Sequence, residues 1–141
     1  MISDFGAEFM PKRATRHSAG YDIVATCDMT AVPVNVALQG YYTMDTGLHL
    51  EDGDLREDEV MLILPRSSYG FKYGFRFANT VGVIDADYRD SIKMAFSVER
   101  GMLEIKKGDR IAQAIIVRYG RLPNEVEPVE ERKGGIGSTG A

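Results

Sequence analysis

Ile111-Ala112-Gln113-Ala114-Ile115-Ile116-Val117 can be read as a short helix or as one buried strand. Ala and Gln tolerate a helix, but Gly108-Asp109 before the run and Gly120 after it confine it to strand length. It is assigned as a strand, and the rest of the chain agrees. Long helical periodicity is missing. Short apolar and β-branched runs separated by Gly, Asp, Asn and Pro predict an all-β domain. The predicted strands cover residues 21–26, 34–38, 42–50, 60–64, 92–98 and 110–117. Residues 43–50 partly alternate, as a half-buried strand does. Residues 60–64 are continuously apolar, which predicts burial on both faces, and Pro65 ends that run because it has no backbone donor. One short helix is predicted over residues 67–73, with Ser67 or Ser68 placed to cap its first turn.

A chain of 141 residues suits a single core, and 44% apolar with 27% charged residues is the composition of a folded domain. The net charge of −4 argues against a nucleic acid polymer as partner but leaves a single nucleotide open, since a few local cations and amides suffice for one triphosphate. Cys27 stands alone, which excludes an intramolecular disulfide. With only His17 and His49 beside it, a structural zinc site lacks ligands. No apolar run reaches the length of a membrane span, and no basic-then-apolar leader is present. The expectation is an intracellular, soluble (cytoplasmic) protein with no membrane contact. From Pro123 onward the composition shifts to Glu, Lys, Gly and Ser. This separates an all-β domain over residues 1–122, which the resemblance given below implies is a β-sandwich, from a flexible arm over residues 123–141.

Three segments could carry chemistry. In Gly82-Val83-Ile84-Asp85-Ala86-Asp87-Tyr88-Arg89-Asp90 a strand runs into an acidic turn, and residues 92–98 return, predicting a β-hairpin. Asp85, Asp87 and Asp90 can be solvated turn residues. Asp85, however, directly follows Val83-Ile84, where a carboxylate can be partly desolvated and held rigid, as a base that orients water must be. In Pro65-Arg66-Ser67-Ser68 the guanidinium fork and two hydroxyls suit phosphate; an N-cap beside a surface arginine is the plainer alternative. Gly134-Gly135-Ile136-Gly137-Ser138-Thr139-Gly140 is no P-loop, because no Lys-Ser or Lys-Thr follows Gly140. Preceded by Arg132 and Lys133, it is either an unordered terminus or a lid over an anion.

Taken in order, Ala19-Gly20-Tyr21-Asp22-Ile23, Pro65-Arg66-Ser67-Ser68, residues 78–94, Gly108-Asp109-Arg110-Ile111-Ala112-Gln113 and residues 134–140 resemble the five motifs of the trimeric dUTPase family. The resemblance runs from about Ser18 to the C-terminus. It implies a jelly-roll subunit, a homotrimer whose active sites are each built from more than one subunit, and an arm that closes over a neighbour's site. The reaction implied is Mg²⁺-assisted in-line attack of water on the α-phosphorus of dUTP, giving dUMP and pyrophosphate. Asp85 then matches the carboxylate that activates water, and Asp22 a first-motif carboxylate that helps hold the hydrated metal. Arg66, Ser67, Ser68 and Gln113 match phosphate contacts, with Arg66 and Gln113 counted beside Asp85 as catalytic. Asn79 and the backbone of Gly82, Val83, Ile84 and Asp85 match positions that read the uracil edge, with Lys93 opposite. Tyr88 matches the ring that packs on the deoxyribose and excludes a 2′-hydroxyl. Arg132, Ile136, Gly137 and Ser138 would be the arm's contacts with substrate.

The chain departs from the family pattern at three points. Asp90 replaces a glycine, Arg132 lies one residue nearer the glycine pair, and Ile136 stands where a stacking Phe is usual. A dCTP deaminase, which shares the fold, carries a glutamate at the position of Ala95, and alanine has no proton to give. A nucleotide sensor acting through a protein partner is the non-enzymatic alternative.

Overall fold

The computed structural model describes residues 1–37, 40–129, 132 and 134. Among these the chain forms strands β1 (Ile2–Ser3), β2 (Lys12–Arg13), β3 (Tyr21–Val24), β4 (Met29–Ala31), β5 (Tyr42–Asp45) and β6 (Leu48–His49). Next come β7 (Glu59–Pro65), helix α1 (Ser67–Tyr73), β8 (Arg76–Phe77) and β9 (Gly82–Ile84), followed by β10 (Lys93–Ser97), β11 (Leu103–Ile105) and β12 (Arg110–Arg118). The all-β expectation holds. Every pairing is antiparallel, and β12 lies at the centre of the largest sheet, ordered β2–β3–β12–β7–β9. A second sheet is ordered β5–β10–β8, and the pairs β1–β6 and β11–β4 complete the set.

One apolar core joins the sheets. Ile23, Met61, Ile63, Ile84 and Ile111 come from the large sheet; Met44, Phe77, Met94 and Phe96 come from the second. Phe96 stacks on Phe75 with ring centroids 4.6 Å apart. Such a pair contributes about 0.5–1.5 kcal/mol beyond the area it buries. In β12 the register shifts between Arg110 and Ala112, and this irregularity accompanies burial of two consecutive residues, Ile111 and Ala112.

Several expectations need correction. In β7, Met61 and Ile63 face the core, while Leu62 and Leu64 are only half-buried, because the two-residue period places them on the other face of the sheet. Residues 34–37 are not a strand. The Pro33 carbonyl accepts from the amides of Val36 and Ala37 at 2.8 and 2.9 Å, a tight turn that leaves Val36 65% exposed. Leu38 lies outside the described residues. The helix forms over the expected residues, but its N-cap is Arg66, with no side-chain cap from Ser67 or Ser68.

The predicted hairpin is absent. β9 pairs with β7, whereas β10 pairs with β5 and β8, so residues 85–92 cross between sheets. The crossing is fastened at a break in the expected 42–50 strand. There Gly47 adopts φ +63°, and a Cβ would fall 2.5 Å from the Phe5 ring. Beside it, buried Thr46 donates its hydroxyl and its amide to the Ile92 carbonyl at 2.7 and 3.0 Å. The Ile92 amide in turn donates to Leu48 O at 2.9 Å. A broken strand and a displaced loop are thus one joint. No helix among the described residues is long and apolar enough to cross a membrane.

Candidate functional site

The centre of the large sheet builds one polar cluster. Asp22 on β3 sits opposite Gln113 on β12, which sits opposite Leu64 on β7, two residues before Arg66. The Asp22 carboxylate faces Arg66 Nε at 3.2 Å and Arg110 Nη1 at 3.3 Å. Arg66 also donates to the Arg110 carbonyl at 3.2 Å, and Gln113 Nε2 donates to Pro65 O at 3.3 Å. Just before β3, a Cβ on Gly20 would lie 2.5 Å from Gln113 Oε1, so a side chain there would push this amide aside. Exposed Ser67 and Ser68 follow at the start of α1. Three sequence-distant segments therefore present two guanidiniums, an amide and two hydroxyls around one carboxylate, a donor-rich surface suited to phosphate.

The crossing loop builds a second cluster. Asp85 follows β9, and its side chain is 54% exposed, so the desolvation expected for it does not occur within the chain. What holds it is Arg132, which pairs with Asp85 and, through Nε at 2.9 Å, with Asp87. The same guanidinium lies 5.6 Å from the centroid of the Tyr88 ring, within cation–π range. Tyr88 is buried, its amide donates to Asp85 O at 3.0 Å and its hydroxyl to Ser91 O at 3.1 Å. Burial pushes the phenol's pKa up, nearby Asp90 adds to the rise, and Arg132 opposes it. Arg89 braces the turn from outside, donating to Ala86 O at 2.7 Å and pairing with Asp52 at 2.6 Å.

His49 fastens the far side of this loop. Its Nδ1 lies 2.9 Å from the Arg89 carbonyl and its Nε2 lies 3.0 Å from Asp4. Both partners are acceptors, so only the imidazolium serves both. The Arg89 carbonyl, then the Asp4 carboxylate and the charge of Asp45, raise its pKa above the ordinary 6.5 against partial burial. A raised folded-state pKa gives stability that is full below 6.5 and is lost as pH climbs through the folded value. Denaturation midpoints are expected to fall across that window, and His49→Gln should flatten the slope. An unchanged slope would remove His49 from the pH dependence.

Over β5 and β10, beside the residues that follow β8, a cleft of about 540 Å³ is lined by Thr43, Met44, Asp45, Ala78, Asn79, Lys93, Met94 and Ala95. Asn79 and Lys93 both line it, with Lys93 on β10 and not on the expected hairpin. Next to Asn79, Thr80 holds φ +66°, a sterically costly conformation for a β-branched residue.

The two clusters do not meet in one chain. β9 is antiparallel to β7, with Gly82 beside Ile63 and Ile84 beside Met61. Asp85 therefore leaves near the start of β7 and Arg66 near its end. Six residues of strand separate those ends, about 20 Å at ~3.3 Å per residue. Ile136, Gly137 and Ser138 lie outside the described residues. Asp45, Ser91, His49 and the Asp22–Arg110 pair were missed from sequence. No motif marks the first three, and the facing of Arg110 was not readable.

The model of the dUTPase family matches residues 8–140. The deoxyuridine 5′-triphosphate nucleotidohydrolase of Rickettsia canadensis is 37% identical over 136 residues, 93% of this chain and 88% of that protein. That of Rickettsia bellii is also 37% identical, over 93% of this chain and 87% of its own length. Among solved structures, the dUTPase of Streptococcus mutans superposes with a TM-score of 0.71 at 24% identity, covering 87% of this chain and 96% of that one. A mutant dUTPase from phage phi11 of S. aureus, described with a structural Mg(II) ion, gives a TM-score of 0.67 at 22% identity, covering 92% and 95%. These two show the same fold, and with the sequence matches spanning nearly the whole length, the chain belongs to the dUTPase family.

Proposed function

We propose that this protein is a dUTP diphosphatase whose active site is completed only between two chains of a homotrimer. The observation that carries this reading is the placement of the Asp22–Arg66–Gln113 cluster and the Asp85–Tyr88 loop at opposite ends of β7. A water and the phosphorus it attacks must come within about 3–3.5 Å. Groups on one chain that stand much farther apart can serve that reaction only if one set comes from a neighbour.

In the proposed mechanism the triphosphate binds to Arg66, Ser67, Ser68 and Gln113. The uracil enters the cleft by Asn79 and Lys93, where the backbone of residues 82–85 reads its edge, and the Tyr88 ring closes against the deoxyribose. Asp85 Oδ takes a proton from water as its oxygen attacks the α-phosphorus. The bond from that phosphorus to the bridging oxygen breaks, and pyrophosphate leaves. Arg132 must first release Asp85; a triphosphate offers it a richer set of acceptors.

Among the described residues no group of three or more His, Cys, Asp or Glu could hold a metal ion. Magnesium fits this chain through water: both Asp22 oxygens already face guanidiniums, and a hard cation bound to phosphate oxygens keeps several of its waters. Held through its waters by Asp22, the ion would supply charge neutralisation for the leaving pyrophosphate. The arm over residues 123–141 is proposed to close on a neighbouring subunit's site, with Ile136 covering the base.

The test is pyrophosphate release from dUTP, UTP, dCTP and dTTP with magnesium. Strong preference for dUTP is expected. No hydrolysis of dUTP, or comparable kcat/KM for dCTP or dTTP, would overturn the reading.

A further inference from the structure

We propose that Asp45 is a positioning residue for sugar selection, fixing the Tyr88 ring through Ser91 and so setting discrimination against a 2′-hydroxyl. The inference rests on the reading above that Tyr88 packs against the deoxyribose.

Excluding a single hydroxyl requires a wall held to within about 0.5 Å, and a ring on an irregular loop is such a wall only if its far end is tied. The Tyr88 backbone is tied by its turn, through the hydrogen bond its amide donates to Asp85 O. Its hydroxyl is tied to the Ser91 carbonyl at 3.1 Å. That carbonyl belongs to half-buried Ser91, which follows the exposed Arg89 and Asp90 and lies in no strand, so its position depends on what holds Ser91. The Ser91 hydroxyl donates to the Asp45 carboxylate, a charge-assisted bond and so among the stronger ones available. Asp45 is in turn fixed from its own strand. The Gly47 amide donates to it at 2.9 Å, and its Cα pairs across the ladder with Lys93. The Gly47 turn, itself locked by Phe5, thus aims the carboxylate at Ser91.

The ionisation of Asp45 agrees with this role. Partial burial would raise its pKa, but the Ser91 hydroxyl, the Gly47 amide, Lys93 and His49 outweigh burial and hold it below the usual carboxylate value. The chain runs rigid turn, carboxylate, serine, tyrosine hydroxyl. Thr46 and Ile92 anchor the loop's exit independently, so loss of Asp45 should loosen the ring rather than release the whole loop.

The experiment compares kcat/KM for dUTP and UTP in the wild type and in Asp45→Ala, Ser91→Ala, Asp45→Asn and the Asp45→Ala/Ser91→Ala double variant. Each single alanine variant should lower the dUTP-to-UTP ratio about tenfold, carried mainly by a rise in kcat/KM for UTP. The double variant should fall no further, because both changes cut one link. Asparagine keeps an acceptor oxygen and should restore most of the ratio. Ratios within twofold of wild type in folded Ser91→Ala would overturn the proposal, and so would Asp45→Asn behaving like alanine. Ser91→Ala leaves the Asp45 contacts to Gly47 intact, so it decides the matter even if Asp45→Ala fails to fold. A wild type that hydrolyses dUTP but accepts UTP equally well would instead overturn the reading of Tyr88.

Discussion

Replacing Asp85 with asparagine is expected to lower kcat for dUTP by about 10²–10⁴-fold, the usual worth of a general base. Asparagine keeps the shape of the side chain and an oxygen for Arg132, and Asp87 retains its own bond to that arginine. The fold and nucleotide affinity should therefore change little, and calorimetric binding alongside turnover separates the two effects. A variant that binds dUTP and keeps most of its kcat would remove Asp85 from the proton transfer.

The second large effect comes from mixing two defective chains. Arg66→Ala removes a phosphate donor, a loss of about 10²–10³-fold by comparison with other preorganised donors, and Asp85→Asn removes the base. If every site takes Arg66 from one chain and Asp85 from its neighbour, a trimer holding both variants contains some sites with neither defect. Random assembly of equal amounts should restore roughly a quarter of the wild-type activity. Chains that build their sites alone would show no recovery. Co-expression with two different tags, followed by purification through both, isolates the mixed trimers, in which one intact site of three should give about a third of wild-type activity.

How much of this was legible depended on whether a feature is set locally. Helix α1 lies where a Ser67 or Ser68 cap was expected, although neither serine caps it; what closes it is Gly74 in the left-handed conformation. β7 and β12 were readable from apolar content. The partner of a strand is not written in its own residues. Residues 82–84 and 92–98 each look like half a hairpin, yet Ile84 packs beside Met61 while Phe96 joins Tyr42 and Phe77. Val34 and Val36 carry strand propensity, but Pro33 opens a turn that leaves them largely exposed. The motif residues of the site were legible through their order along the chain. Their division into two distant clusters was not, because it follows from the direction in which β9 lies along β7. Asp45 and His49 act only through what folds against them, and nothing beside them in sequence marks that.

The antiparallel course of β9 along β7 also bears on genetics. In a threefold assembly built as proposed, each chain lends one end of that strand pair to one site and the other end to a different site. A chain damaged at Asp85 alone silences a single site. A chain in which β7 itself is disrupted spoils both of its contributions, and one such copy in a trimer would leave one working site of three. Alleles of the second kind should act as dominant poisons where alleles of the first kind are recessive.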